Sequence, residues 1–136
     1  MSAPSFLVVW PSGQARPTAA NLNFAPGETV SNLVMVPLGS GGEVSLFNLA
    51  GSAHVIVDVQ GWFEGAGTFR GLTPARMMDT RPGQSTIDNR YRDTGGLRAG
   101  DTDPLDVVGR GGVPASGVGA VALNVAVTEP SQPSFL

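Results

Sequence analysis

Cysteine and lysine are both missing from this chain of 136 residues, and histidine and tyrosine occur once each. Without cysteine there is no disulfide, no thiol chemistry and none of the commonest structural zinc sites. Without lysine all eight cationic side chains are arginines, and they do not outnumber the 11 acids, so the net charge is −3. No basic patch is left to displace counterions from a phosphate backbone, which argues against a nucleic-acid partner. No apolar run approaches the roughly 20 residues that span a bilayer as a helix, so membrane insertion is not expected. No charged n-region followed by an apolar h-region precedes the domain, and an export signal would lie outside this sequence. Helical periodicity is also absent: no stretch of useful length keeps a 3.6-residue apolar pattern without glycine or proline inside it.

What is present has a period of two, interrupted by the 19 glycines and 11 prolines and by Asn and Asp. Phe6 to Trp10 reads as a strand closed by Pro11-Ser12-Gly13, and Val30 to Leu38 as a near-continuous apolar strand buried on both faces. Glu43 to Leu49 follows the turn Gly39-Ser40-Gly41-Gly42, making Val30 to Leu49 a hairpin candidate. Ala53, Val55, Val57, Val59 and Phe63 alternate with His54, Asp58 and Gln60; Val121, Leu123, Val125 and Val127 alternate with Ala120, Ala122, Asn124 and Thr128. These strands predict an all-β chain, a two-sheet antiparallel β-sandwich of jelly-roll or immunoglobulin-like kind, with a β-barrel as the alternative.

Two internal similarities bear on organisation. Pro4-Ser5-Phe6-Leu7 recurs as Pro133-Ser134-Phe135-Leu136, as if one period of a tandem array had ended and the next begun. A weaker echo relates Pro26-Gly27-Glu28-Thr29 and its strand to Ala99-Gly100-Asp101-Thr102 and its strand, and Val55–Val59 to Val121–Val125, suggesting an internal duplication.

Residues able to carry chemistry are few. His54 and Asp58 share a strand face at a spacing that two metal ligands could use, but no serine stands in a nucleophile elbow to complete a triad, and a polar sheet face is the simpler reading. Asp79, Asp88, Asn89, Asp93, Asp101 and Asp103 offer oxygen ligands of the kind calcium takes, without the spacing of an EF-hand, and turn chemistry explains them more economically. No metal or other cofactor is therefore assigned, with calcium the one to keep in view. Asp79-Thr80-Arg81 suggests an internal forked salt bridge that pins a loop. Trp62, Tyr91 and Trp10 are the rings that could form a glycan platform, with Trp62 placed by strict alternation on the polar face of His54, Asp58 and Gln60.

Several segments taken together resemble a known repeat: Phe6-Leu7-Val8-Val9-Trp10-Pro11-Ser12-Gly13, Asn21-Leu22-Asn23-Phe24, Val57-Asp58-Val59-Gln60-Gly61-Trp62-Phe63, Leu72-Thr73-Pro74-Ala75-Arg76 with Asp79-Thr80-Arg81, and Gly111-Gly112-Val113-Pro114. This combination resembles the repeat of large secreted and cell-wall-associated actinobacterial proteins, a source that the lysine-free, Gly- and Pro-rich composition of GC-rich coding also suits. The resemblance implies an extracellular or cell-surface location and a modular role without an established activity. A length of 136 residues makes the chain a single β domain, 1–136, and the resemblance implies that it joins the second half of one unit, 1–65, to the first half of the next, 66–136, in circularly permuted order. The expected function is that of a non-catalytic structural or adhesive repeat, assembling end to end with neighbouring copies into a stalk or filament through Phe6, Leu7, Val8, Val9, Phe135 and Leu136. The alternative is a carbohydrate-binding module whose partner is a cell-wall or extracellular polysaccharide.

Overall fold

The computed structural model describes residues 4–65 and 67–129, so Phe135 and Leu136 lie outside the described residues. The described residues form nine strands: β1 (Ser5–Pro11), β2 (Leu22–Phe24), β3 (Val30–Pro37), β4 (Glu43–Asn48), β5 (Ser52–Glu64), β6 (Phe69–Asp79), β7 (Leu97–Arg98), β8 (Thr102–Asp106) and β9 (Val118–Thr128). They make two antiparallel sheets, one in the order β2-β1-β4-β8 and the other β3-β9-β5-β6, with β7 pairing the start of β5. The chain is a β-sandwich; the two sheets do not close into the barrel held as the alternative.

Alternation builds the core between the sheets. Val55, Val57 and Val59 of β5 stand opposite Val127, Val125 and Leu123 of β9, and all six are fully buried. Leu7 and Val9 of β1 and Val44 and Leu46 of β4 meet them from the other sheet. Each apolar face would be left open alone, and stacking the two removes both from water.

Both halves of the chain contribute to both sheets. Strands β3 and β5 share a sheet with β6 and β9, while β1, β2 and β4 share the other with β8. The Val30–Leu49 hairpin does not form, because the Gly39–Gly42 turn carries the chain from one sheet to the other, leaving β3 and β4 in different layers. The sequence echo is likewise not a structural duplication: β3 lies beside β9, whereas β8 lies beside β4 in the other sheet, so the matched segments occupy unlike places.

Between β6 and β7 the chain runs irregularly, with Asn89, Tyr91 and Asp93 all at positive φ. Such backbone is costly for a residue as large as tyrosine and persists where its surroundings fix it. Arg110 supplies much of that fixing. Only 4% exposed, it holds Asp88 through two hydrogen bonds at 2.6 and 2.8 Å, donates to the carbonyls of Asp106 and Met77, and lies 4.9 Å from the Tyr91 ring. The Tyr91 hydroxyl in turn accepts the Asp106 N–H at 3.1 Å.

Candidate interaction face

The outer face of the five-stranded sheet carries Asp58 and Gln60 of β5 and the Arg76 and Asp79 that the sequence singled out in β6. A β-bulge between Val59 and Gly61 reverses the alternation of β5. Strict alternation puts Trp62 on the polar face and Phe63 in the core; the extra residue, Gln60, exchanges them. Trp62 pairs with buried Val121 and packs against the core, while Phe63 turns outward beside Phe69, ring centroids 5.1 Å apart. Gly61 sits where no side chain fits, since a Cβ there would lie 2.4 Å from the Phe69 ring.

Register then arranges the outer face in cross-strand rows from β3 to β6: Pro37, Ala120, Phe63, Phe69; Met35, Ala122, Gly61, Gly71; Leu33, Asn124, Asp58, Arg76; and Ser31, Ala126, Ile56, Asp79. The first two rows are apolar and floored by small residues, leaving a shallow groove of about 300 Å³ bounded by Met35, Pro37, Phe63, Gly65 and Ala120. The last two hold the charge.

The charged half is internally neutralised. Asp79, with a side chain 0% exposed, accepts from Nε and Nη2 of Arg81 at 2.9 and 2.8 Å and from Nη1 of Arg76 at 3.1 Å. The forked Arg81–Asp79 pair expected from the sequence is thus formed. Burial alone would push the Asp79 carboxyl up, but the hydrogen bonds and charges of Arg81 and Arg76 outweigh it and hold the carboxyl below its usual range. Arg76 also reaches directly across to Asp58, Nε to Oδ1 at 2.8 Å. His54 does not join Asp58: its Nδ1 meets the Thr80 hydroxyl at 2.9 Å, and that hydroxyl also accepts the Val55 N–H. Among the described residues no three of the His, Asp and Glu side chains gather to hold a metal ion. Of the oxygen ligands considered for calcium, Asp79 and Asp88 are engaged by arginines, and Asp101 and Asp103 border a polar groove with Arg98.

The three rings of the glycan platform lie in three separate places. Trp10 is buried on the far face of the four-stranded sheet with Val8 and Phe47, its indole N–H donating to the Gln14 carbonyl under a segment whose Arg16 covers the Phe47 ring at 3.7 Å. Tyr91 is clamped between Asp106 and Arg110, and Trp62 faces the core.

The expected assembly strand is also placed differently. Phe6, Leu7, Val8 and Val9 belong to β1, which is interior to its sheet, with β2 on one side and β4 on the other. Where β2 ends, Asn21 carries on the ladder, its N–H donating to the Leu7 carbonyl and its Oδ1 accepting the Val9 N–H at 2.7 Å. Among the described residues the open edge lies elsewhere, in β3. Of the four outermost strands, β2 has only three residues, β8 contains Pro104 with Asp103 and Asp106, and β6 contains Pro74 with two register shifts. All of these blunt an edge. β3 has eight residues with no charge among them and no proline before Pro37, and its Leu33 and Met35 are 53% and 62% exposed.

Compared with protein-family models, curated proteins and solved structures, the chain matches none.

Sequence reasoning missed two features that matter here, the β3 edge and Arg110. The run Leu33-Val34-Met35-Val36 reads equally well as a doubly buried strand, because hydrophobicity without alternation does not say which side is covered. Arg110 carried no usable signal: it stands among the glycines at 109, 111 and 112, and Arg98, with Gly95, Gly96 and Gly100 nearby, has a side chain that is 82% exposed.

Proposed function

We propose that the chain is a non-catalytic structural or adhesive module of an extracellular bacterial surface protein, joined to its neighbours by strand addition at the open edge of β3. The open, uncharged edge carries this reading. Leu38 donates to the Gly119 carbonyl at 3.0 Å, which sets the phase of the β3–β9 ladder: even-numbered residues of β3 bond to β9, and Ser31, Leu33 and Met35 turn their N–H and C=O groups away from it. Such groups are a template for another strand. The apolar groove adjoins the same edge through Met35 and Pro37, so an added strand would meet apolar surface next to its backbone bonds. The arginines and acids on the same face are spent on one another, as befits a scaffold more than a site that grips a charged ligand.

Met35→Pro tests this reading. The Met35 N–H points away from β9, so proline removes an outward donor and blocks the edge while leaving the internal ladder complete. Light scattering across a concentration series is expected to show the mass of the parent chain rising and that of Met35→Pro staying monomeric. A parent chain that remains monomeric throughout, or a Met35→Pro chain that assembles equally well, would overturn it; saturable sugar affinity in such a monomer would favour the carbohydrate-binding alternative.

A further inference from the structure

We infer that the strand received by β3 is β3 of a second copy of this chain, antiparallel about a two-fold axis that passes beside Leu33. The inference rests on the strand-addition reading above and names its partner. A two-fold contact sets every residue near the axis against its own copy, so any charge there faces its like. With a net charge of −3, two copies approach most easily through an edge that carries none. Along β8 a two-fold pairing centred between Pro104 and Leu105 would set Asp103 against Asp106 of the copy, like charge against like, whereas between Val30 and Leu38 there is no charged side chain.

The outward hydrogen-bonding groups then select the register. They belong to alternate residues, so outward positions must stand opposite outward positions. With Leu33 opposite Leu33, Ser31 falls opposite Met35 of the second copy, and all three residues of each chain both donate and accept. Shifting the axis toward Met35 brings Ser31 against Pro37, which has no N–H to give. Shifting it the other way sets Met35 beyond the strand, against Thr29. On the outer face the Leu33-centred arrangement brings the exposed Leu33 side chains together. Both edges are consumed, so the contact closes at two copies instead of extending into a filament, and the two five-stranded sheets become one continuous surface.

The absence of cysteine allows a direct test on the whole chain. Directly opposed residues in an antiparallel pair have Cα atoms about 4.5–5.5 Å apart, within the range a disulfide bridges. Under mild oxidation Leu33→Cys alone is expected to form most of its mass as covalent dimer, Ser31→Cys alone and Met35→Cys alone little, and a mixture of Ser31→Cys with Met35→Cys a mixed dimer. Cross-linking through Ser31→Cys or Met35→Cys alone, or assembly of the parent chain with no Leu33→Cys dimer, would overturn the two-fold register while leaving strand addition standing. A parent chain that stays monomeric over the same concentrations would overturn the dimer and the strand-addition reading together.

Discussion

Arg110→Ala is expected to lower the stability of the chain by about 3 kcal/mol, the combined cost of losing an ion pair that is buried on the Arg110 side only and of depriving two backbone carbonyls of a donor. A domain of this size has roughly 5–15 kcal/mol in all, so the melting temperature should fall by about 10 °C or more. The reason lies in how many separate pieces of the fold this one guanidinium joins. It ties Asp88 of the irregular segment to the Met77 carbonyl of β6 and the Asp106 carbonyl of β8, and it lies against the Tyr91 ring. Alanine would take a donor from both carbonyls and leave the Asp88 carboxylate only the Arg90 N–H, while the positive-φ backbone at Tyr91 and Asp93 would keep its bonds to Asp79 but lose the side-chain clamp. Arg90→Ala is the control. It removes an ion pair to Asp106 whose side chains are 49% and 33% exposed, so solvent screens it and the melting temperature should barely move. Equal melting of the two variants would contradict the role given to Arg110.

The same pair sets part of the response to acid. The Arg110 hydrogen bond holds the Asp88 carboxyl down at about 2, against an ordinary value of 3.8. A carboxyl lowered in the folded state contributes its stability above the unfolded value, and loses it as pH falls from near 4 through 2. With 31% of its side chain open to solvent, Asp88 contributes no more than about 1–2 kcal/mol in this way. Arg110→Ala should therefore flatten the acid limb of the stability curve between those values as well as lower its plateau.

Asp79→Asn should also be damaging, costing about 2–4 kcal/mol. The amide keeps the shape but removes the charge that sits between Arg76 and Arg81, and it can no longer accept through both of its terminal atoms. Two guanidiniums then share one site, with Asp58 beside Arg76 and the charge of Glu129 near Arg81 left to offset them. The sign with pH is the same as for Asp88: Asp79 is held below its usual range, so its contribution is present at neutral pH and lost in acid, and the variant should lose less than the parent on acidification. Thermal unfolding of Asp79→Asn at neutral pH indistinguishable from the parent would contradict this account of the Asp79-Thr80-Arg81 segment.

How far these features could be read in advance depended on whether a local pattern stood for a local fact. The alternation of Val121, Leu123, Val125 and Val127 placed the inner face of β9 correctly, because nothing interrupts that strand's pairing with β3. The same reasoning carried along β5 as far as Val59 and then failed at a single inserted residue, sending Trp62 inward and Phe63 outward. Gly61 inside an otherwise regular strand was the available hint of a bulge. The Asp79–Arg81 fork was legible because its partners are two residues apart, whereas Arg110 and Asp88 are brought together only by the closed sandwich. Whether Val30–Pro37 would be central or outermost could not be read from its own residues, since that depends on which strands the turns deliver to its two sides. Assembly was expected at β1 because Pro-Ser-Phe-Leu recurs at the two ends of the sequence, but β1 is interior to its sheet, and the long uncharged strand among the outermost ones is β3.

Amide hydrogen exchange along β3, followed from dilute to concentrated solution, tests the strand-addition account most directly. In dilute solution Asn32, Val34 and Val36 should be protected by β9, while Ser31, Leu33 and Met35 exchange freely; at concentrations where the mass rises, the latter three should become protected together. Continued free exchange of Leu33 and Met35 in the assembled state would show that copies meet somewhere else, and would contradict the account.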